Sequence, residues 1–163
     1  MSCKLTLRRK DSKTLLLSGM DEFLGGLMRD IPLLGTPSSQ SEQRLFPDLT
    51  GGREAEADAD WREFVRPDLE DHFAMNRDVV EEDLQGMRDS KSGGLEVEIP
   101  MAHLPQWIHA LNQARLALNT QHNLGERELE EDEAVSGEEG LVLFHIQFYG
   151  LLQEWMLSLV DSL

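Results

Sequence analysis

The chain is short of cysteine, of basic residues and of long apolar runs, and each shortage excludes something. Cys3 is the only cysteine among 163 residues, so no disulfide can form within the chain. That usage points to a reducing, cytoplasmic compartment. Fifteen Lys and Arg stand against 31 Asp and Glu, a formal net charge of −16. A field of that sign repels nucleic-acid phosphates, so direct reading of DNA is not expected. Basic stripes interleaved with aromatics, the footprint of nucleic-acid binding, are also missing. The amino terminus, MSCKLTLRRKDSKTLLLSG, has basic residues but no long apolar run behind them. It reads as neither a signal peptide nor a membrane span.

Catalytic and metal motifs are missing as well. No pair among His72, His103, His109, His122 and His145 has the i, i+4 spacing of a helical metal site, and no acid completes a ligand pattern. There is no Gly-rich phosphate loop after a strand and no Gly-x-Ser-x-Gly elbow. The expectation is therefore a protein without catalytic residues, metal or cofactor. His145 falls on an apolar helix face and reads as a hydrogen-bonded core histidine. The run GERELEEDEAVSGEEG lacks the Asp-x-Asp-x-Asp-Gly spacing of a calcium loop, so residues 125–137 read as a solvated acidic loop.

What is present is one domain's worth of chain, residues 1–163, with 40% hydrophobic residues. Its organising stretch is WIHALNQARLALNTQH, Trp107 to His122. Trp107, Ile108, Leu111, Ala114 and Leu118 recur at helical steps and share a face. Asn112, Arg115 and Asn119 recur beside them as a polar strip. A guanidinium between two amides suits a buried or half-buried hydrogen-bond network; at the edge of the face, Arg115 would instead snorkel to water.

Leu5 and Leu7 alternate with polar neighbours, and Thr14 to Leu17 can return as a second strand after Lys10-Asp11-Ser12, a hairpin. Ser18 with Asp21 reads as the cap of a helix through Phe23, Leu24, Leu27, Met28 and Ile31. Gly25 and Gly26 weaken that helix unless another element approaches closely. Residues 35–59 lack periodicity and read as a mobile loop, pinned by Leu45, Phe46 and Leu49. Trp61, Phe64 and Val65 open the next helix, which Pro67 kinks or restarts. Its apolar face continues through Leu69, Phe73, Asn76, Val80, Leu84 and Met87 to about Arg88. Leu95, Val97 and Ile99 form a third strand that should pair with the hairpin. Strand, cap and helix recur at LLLSGMDEFLGGLM and VEIPMAHLPQWIHAL, a pattern generic enough to arise by chance. The fold class expected is mainly α: a single-domain bundle of four principal helices with a small hairpin or three-stranded sheet near the amino terminus.

The last helix, Glu138 to Leu163, is apolar over most of its circumference. Leu141, Phe144, His145, Phe148, Leu152, Trp155, Met156 and Leu159 make one broad face, and Ile146, Leu157 and Val160 lie beyond it. That surplus suggests a homodimer interface at Ile146, Leu157 and Val160. Alternatively, the Phe23–Ile31 helix or Leu45 and Phe46 cover the same residues internally. Gly150 falls on the opposite, mostly polar side.

Three places resemble a family of actinomycete proteins named after the oxidative stress transcriptional regulator AosR. They are RLFPDL (Arg44–Leu49) with the acidic run and WREFVRPDLEDHF after it, WIHALNQARLALNTQHNLG, and the closing LLQEWMLSLV. The second is similar to the family's segment at Trp107, Leu111, Asn112, Arg115, Leu116 and Leu118, and the third around Gln153 and Glu154. The resemblance implies a redox-linked regulator that acts on transcription by contacting a stress sigma factor or RNA polymerase. A non-enzymatic adaptor with no transcriptional role is the other class considered. The implied switch needs two thiols, and this chain has Cys3 alone; Asn119 replaces the family's closing Gly, and Pro67 stands where a continuous helix is expected. Cys3 is thus either a lone redox-sensitive thiol, helped by Lys4 and Arg8 nearby, or an inert one.

Overall fold

The computed structural model describes residues 4–38, 45–122 and 137–161. Cys3, residues 39–44 of the expected loop and residues 125–136 of the acidic connection lie outside them. The fold is mainly α-helical, with a small antiparallel sheet built by the amino-terminal strands.

Strands β1 (Thr6–Arg9) and β2 (Thr14–Met20) form the expected hairpin, with Leu7 opposite Leu17 and Arg9 opposite Leu15. The side chains of β2 alternate across the sheet. Leu15 and Leu17 face the core, in register with Ile99 and Val97 of strand β4 (Leu95–Pro100), and all four are fully buried. Leu16 points to the other side, between Arg8 and Glu98 in register. There Glu98 accepts from Lys10 and Arg88, and these surface ions hold its carboxyl below the usual range. The third strand thus pairs with the hairpin as expected, and the sheet gains a fourth, β3 (Arg88–Asp89), in the order β1-β2-β4-β3.

Strand β2 runs three residues further than expected, through a register shift between Leu17 and Met20. Gly19 permits the shift. Its φ is +81°, and a Cβ there would sit 2.0 Å from the Lys4 carbonyl oxygen. Ser18 is consequently a strand residue bonded to Thr6, and the cap of helix α1 (Glu22–Leu34) is Asp21, which accepts from the Leu24 amide at 2.8 Å. A carboxylate here satisfies an amide that the helix leaves unpaired and suits the positive end of its dipole. Gly25 is a point of close approach, since a Cβ would meet the Leu95 side chain at 2.5 Å.

At the end of the expected 35–59 loop the structure adds a short helix, α2 (Ala55–Asp60). Leu45 and Phe46 are buried as expected, with Phe46 stacked on Phe73, whereas Leu49 is exposed. Trp61–Val65 is a π-helical turn, and helix α3 (Arg66–Leu84) starts behind it with Pro67 in its first turn, where the ring needs no amide partner. Phe64 and Val65 face solvent, so they do not extend the α3 core face, which Asn76, Val80 and Leu84 supply. The helix ends at Leu84, before β3, not at Arg88.

Helix α4 (Leu104–Gln121) is the hub, packed against α1, α3 and the closing helix α5 (Glu138–Asp161). Trp107, Ala110, Leu111, Ala114, Ala117 and Leu118 are buried among them. On α5 the buried face is Val142, Ile146, Phe148, Tyr149, Leu152 and Met156, turned from the expected face toward α4. Leu141 and Phe144 are exposed. Gly150 lies not on a free polar side but against the Arg115 guanidinium, whose Cζ would be 3.5 Å from an added Cβ.

Candidate functional site

The polar strip on α4 reaches across to α5 without forming a network of its own. Arg115 is half-buried, and its Nη1 donates to Gln153 Oε1 at 2.8 Å. Gln153 Nε2 in turn donates to the Ile108 carbonyl at 3.3 Å. Because Gly150 has no side chain, the guanidinium can lie flat against α5 on its way to Gln153. Asn112 is exposed and Asn119 half-buried; Asn119 Oδ1 has no hydrogen-bond partner among the described residues. Arg115 is thus the one member of the expected trio that joins two helices.

A second polar joint was not legible from spacing. Asp83, near the end of α3, accepts at Oδ2 from the indole Nε1 of fully buried Trp107 and from His103 Nδ1, both at 2.8 Å. An ionised carboxylate can only accept, so His103 carries its proton on Nδ1. Twenty and twenty-four residues separate these partners, a distance that only the packing of α4 on α3 closes. The joint leaves no buried donor on Trp107 unpaired, which would otherwise cost about 1–3 kcal/mol.

The third joint ties α5 to α1. The Tyr149 hydroxyl donates to the Leu27 carbonyl and meets His145 Nε2 at 2.6 Å. A phenol has one proton, so His145 must be the donor in its own contact. Burial pushes the His145 pKa down and the Tyr149 pKa above its ordinary range. His145 is therefore hydrogen-bonded, as the sequence suggests, but part-buried and not a core residue.

A fourth set of contacts folds the segment around RLFPDL. Arg62 grips Asp48 through both oxygens, at 2.8 and 2.7 Å. Buried Asp58 accepts from the Thr50 amide and hydroxyl and from the Gly52 amide, and these bonds lower its pKa. His72 and His109 come within 6.4 Å of one another, ring to ring. Among the described residues no group of three or more His, Cys, Asp or Glu could hold a metal ion. A groove of about 460 Å³ between α1 and α3 is lined by Arg29, Leu33, Arg77 and Glu81. Asp78 on the same wall balances the cations with Glu81, so the groove favours neither sign.

The homodimer candidates divide. Ile146 is core, 5% exposed, whereas Leu157 and Val160 are exposed at 44% and 38%. The larger apolar surface is elsewhere on α5. Leu141, Phe144 and Leu151 are 58%, 43% and 38% exposed, and Phe23 of α1, 49% exposed, lies 5.8 Å from the Phe144 ring. The pattern on α5 could not separate the two sides, because both are apolar.

Fold and sites together define a mainly helical domain whose polar joints hold helices in place and whose exposed feature is an apolar surface. The chain belongs to a family described as a domain of unknown function, DUF2017, whose model matches residues 9–163. No curated protein and no solved structure matches it.

Proposed function

We propose that this chain is a protein-binding regulator of transcription in the oxidative stress response. On this reading it acts in the cytoplasm through a stress sigma factor or RNA polymerase and does not read DNA itself. The observation that carries the protein-binding part is the exposed surface of Phe23, Leu141, Phe144 and Leu151 on a chain of net charge −16. Apolar side chains gathered in one patch on an otherwise charged surface mark sites of contact. The transcriptional part rests on the resemblance to the AosR family at Trp107 to Leu118 and around Gln153. Arg115 and Gln153, which carry that resemblance on two different helices, are hydrogen-bonded to each other. No helix among the described residues is long and apolar enough to cross a membrane. The thiol chemistry open to Cys3 is intermolecular coupling or capping, since it has no second cysteine to pair with.

Affinity capture from oxidatively stressed cells, with the bound proteins identified, tests the reading. Recovery of a sigma factor or RNA polymerase is the expected result. Recovery of a protease or chaperone alone would assign the chain to the adaptor class instead.

A further inference from the structure

We propose that the outer stripe of α5, together with Phe23, is a docking site for an amphipathic helix of a partner protein whose apolar face is flanked by Lys and Arg. The proposal rests on the protein-binding part of the function above and adds the surface and the chemistry of its occupant. Leu141, Phe144, Phe148, Leu151 and Trp155 follow one another at alternating steps of three and four residues. That spacing lines one side of a helix with a seam suited to a second helix. Phe148 is buried beneath the seam, stacked with Phe144, while Leu141, Phe144 and Leu151 remain open to solvent. Phe23 widens the seam at 5.8 Å from Phe144. Gly26, one turn further along α1, would place an added Cβ in open space, so bare helix backbone adjoins Phe23 and admits close approach. At the other end Trp155 lines a groove of about 360 Å³ with Leu5, Leu7 and Leu159.

Charge selects the occupant. Helix α5 carries Glu138, Glu139, Glu154 and Asp161 and no Lys or Arg. Asp21 and Glu22 immediately precede Phe23. An apolar seam on a helix without Lys or Arg, in a chain of net charge −16, favours cations at the margins of its partner and repels like charge. A second copy of this chain would bring the same carboxylates against one another, so it fits this seam poorly. Helix-in-groove recognition of a basic amphipathic segment satisfies both the spacing and the charge.

The test uses the whole chain and a synthetic peptide helix with one leucine face bordered by lysines. Two comparison peptides are an isomer of the same composition with the face scrambled and a version with glutamate for lysine. At physiological salt the leucine–lysine helix should bind about tenfold or more tightly than either comparison peptide. The double variant Phe144→Ser, Leu151→Ser should bring its affinity down to that of the scrambled isomer. Both side chains are exposed, so the variant should fold; if its circular dichroism melt shows otherwise, Phe23→Ser serves in its place. Equal binding of the leucine–lysine and scrambled peptides would reduce the effect to charge and overturn the site. Unchanged affinity in the variants, or a dimer of the chain that Phe144→Ser dissolves, would overturn it too. A sigma factor captured equally by wild type and the double variant would leave the proposed function standing and remove this surface from it. Selective peptide binding with no sigma factor captured would do the reverse.

Discussion

Tyr149 has its hydroxyl at the meeting point of α1 and α5, where it bonds the Leu27 carbonyl and the part-buried His145. Tyr149→Phe keeps the ring but leaves the Leu27 carbonyl and His145 Nε2 without that partner. The expected cost is about 1–3 kcal/mol in urea unfolding; a variant as stable as wild type would show that the bonds are replaceable. His145 beside it makes stability depend on pH. Burial is the main cause that holds its pKa below the ordinary 6.5, with the Asp30 carboxylate opposing. The unfolded chain therefore takes up the proton first as pH falls. In that window it binds more protons than the folded chain, so stability should decline from about pH 6.5 downward toward the lower folded pKa. In His145→Gln the decline over the same window should be shallower, and parallel curves would remove His145 as its source. The Asp83 joint shows what residue spacing conceals. Trp107 was legible as a core residue from its helical period, but its hydrogen bond lies on another helix, where no local pattern points.

Among the elements, β1 and β4 were the most legible because alternation names both the strand and its buried face. Val97 and Ile99 fall where a two-residue period puts them, whereas Leu15-Leu16-Leu17 is an unbroken apolar run whose core-facing pair is decided by its register with β4. What alternation could not show is the irregular end of β2. There Gly19 admits the Lys4 carbonyl where a side chain would stand, and β2 continues to Met20 before Asp21 caps α1. Gly19→Ala combines a left-handed φ with a contact against backbone that cannot turn aside. The variant should lose upwards of about 1 kcal/mol, with faster amide exchange in β1 than elsewhere in the sheet; uniform exchange would place the strain outside the hairpin. Helix α5 was the least legible element for the opposite reason. It is apolar nearly all round, so its sequence admits several faces, and the choice is made by Gly150 and Gln153 against Arg115. The same contacts put Ile146 inward and leave Phe144 and Leu151 outward.

For the whole molecule, that rotation changes the account of self-association. The surplus that suggested a homodimer shrinks from Ile146, Leu157 and Val160 to the last two, while each copy carries a net charge of −16. The chain should therefore sediment as a monomer at micromolar concentration, and a dimer that Leu157→Glu separates would restore the helix-to-helix contact. Leu157→Glu should leave stability within roughly 0.5 kcal/mol of wild type, whereas Ile146→Ala should cost about 2–5 kcal/mol. The two variants thus tell surface from core on a single helix. Tyr149 has a further consequence at this scale, because it is the only tyrosine in the chain. Its buried phenol resists ionisation, so in a jump to alkaline pH the ultraviolet band of tyrosinate should grow no faster than α1 and α5 part. An absorbance rise complete before any loss of helical dichroism would mean that the phenol reaches hydroxide in the closed molecule. The opposite order makes one native chromophore a clock for the opening of the fold.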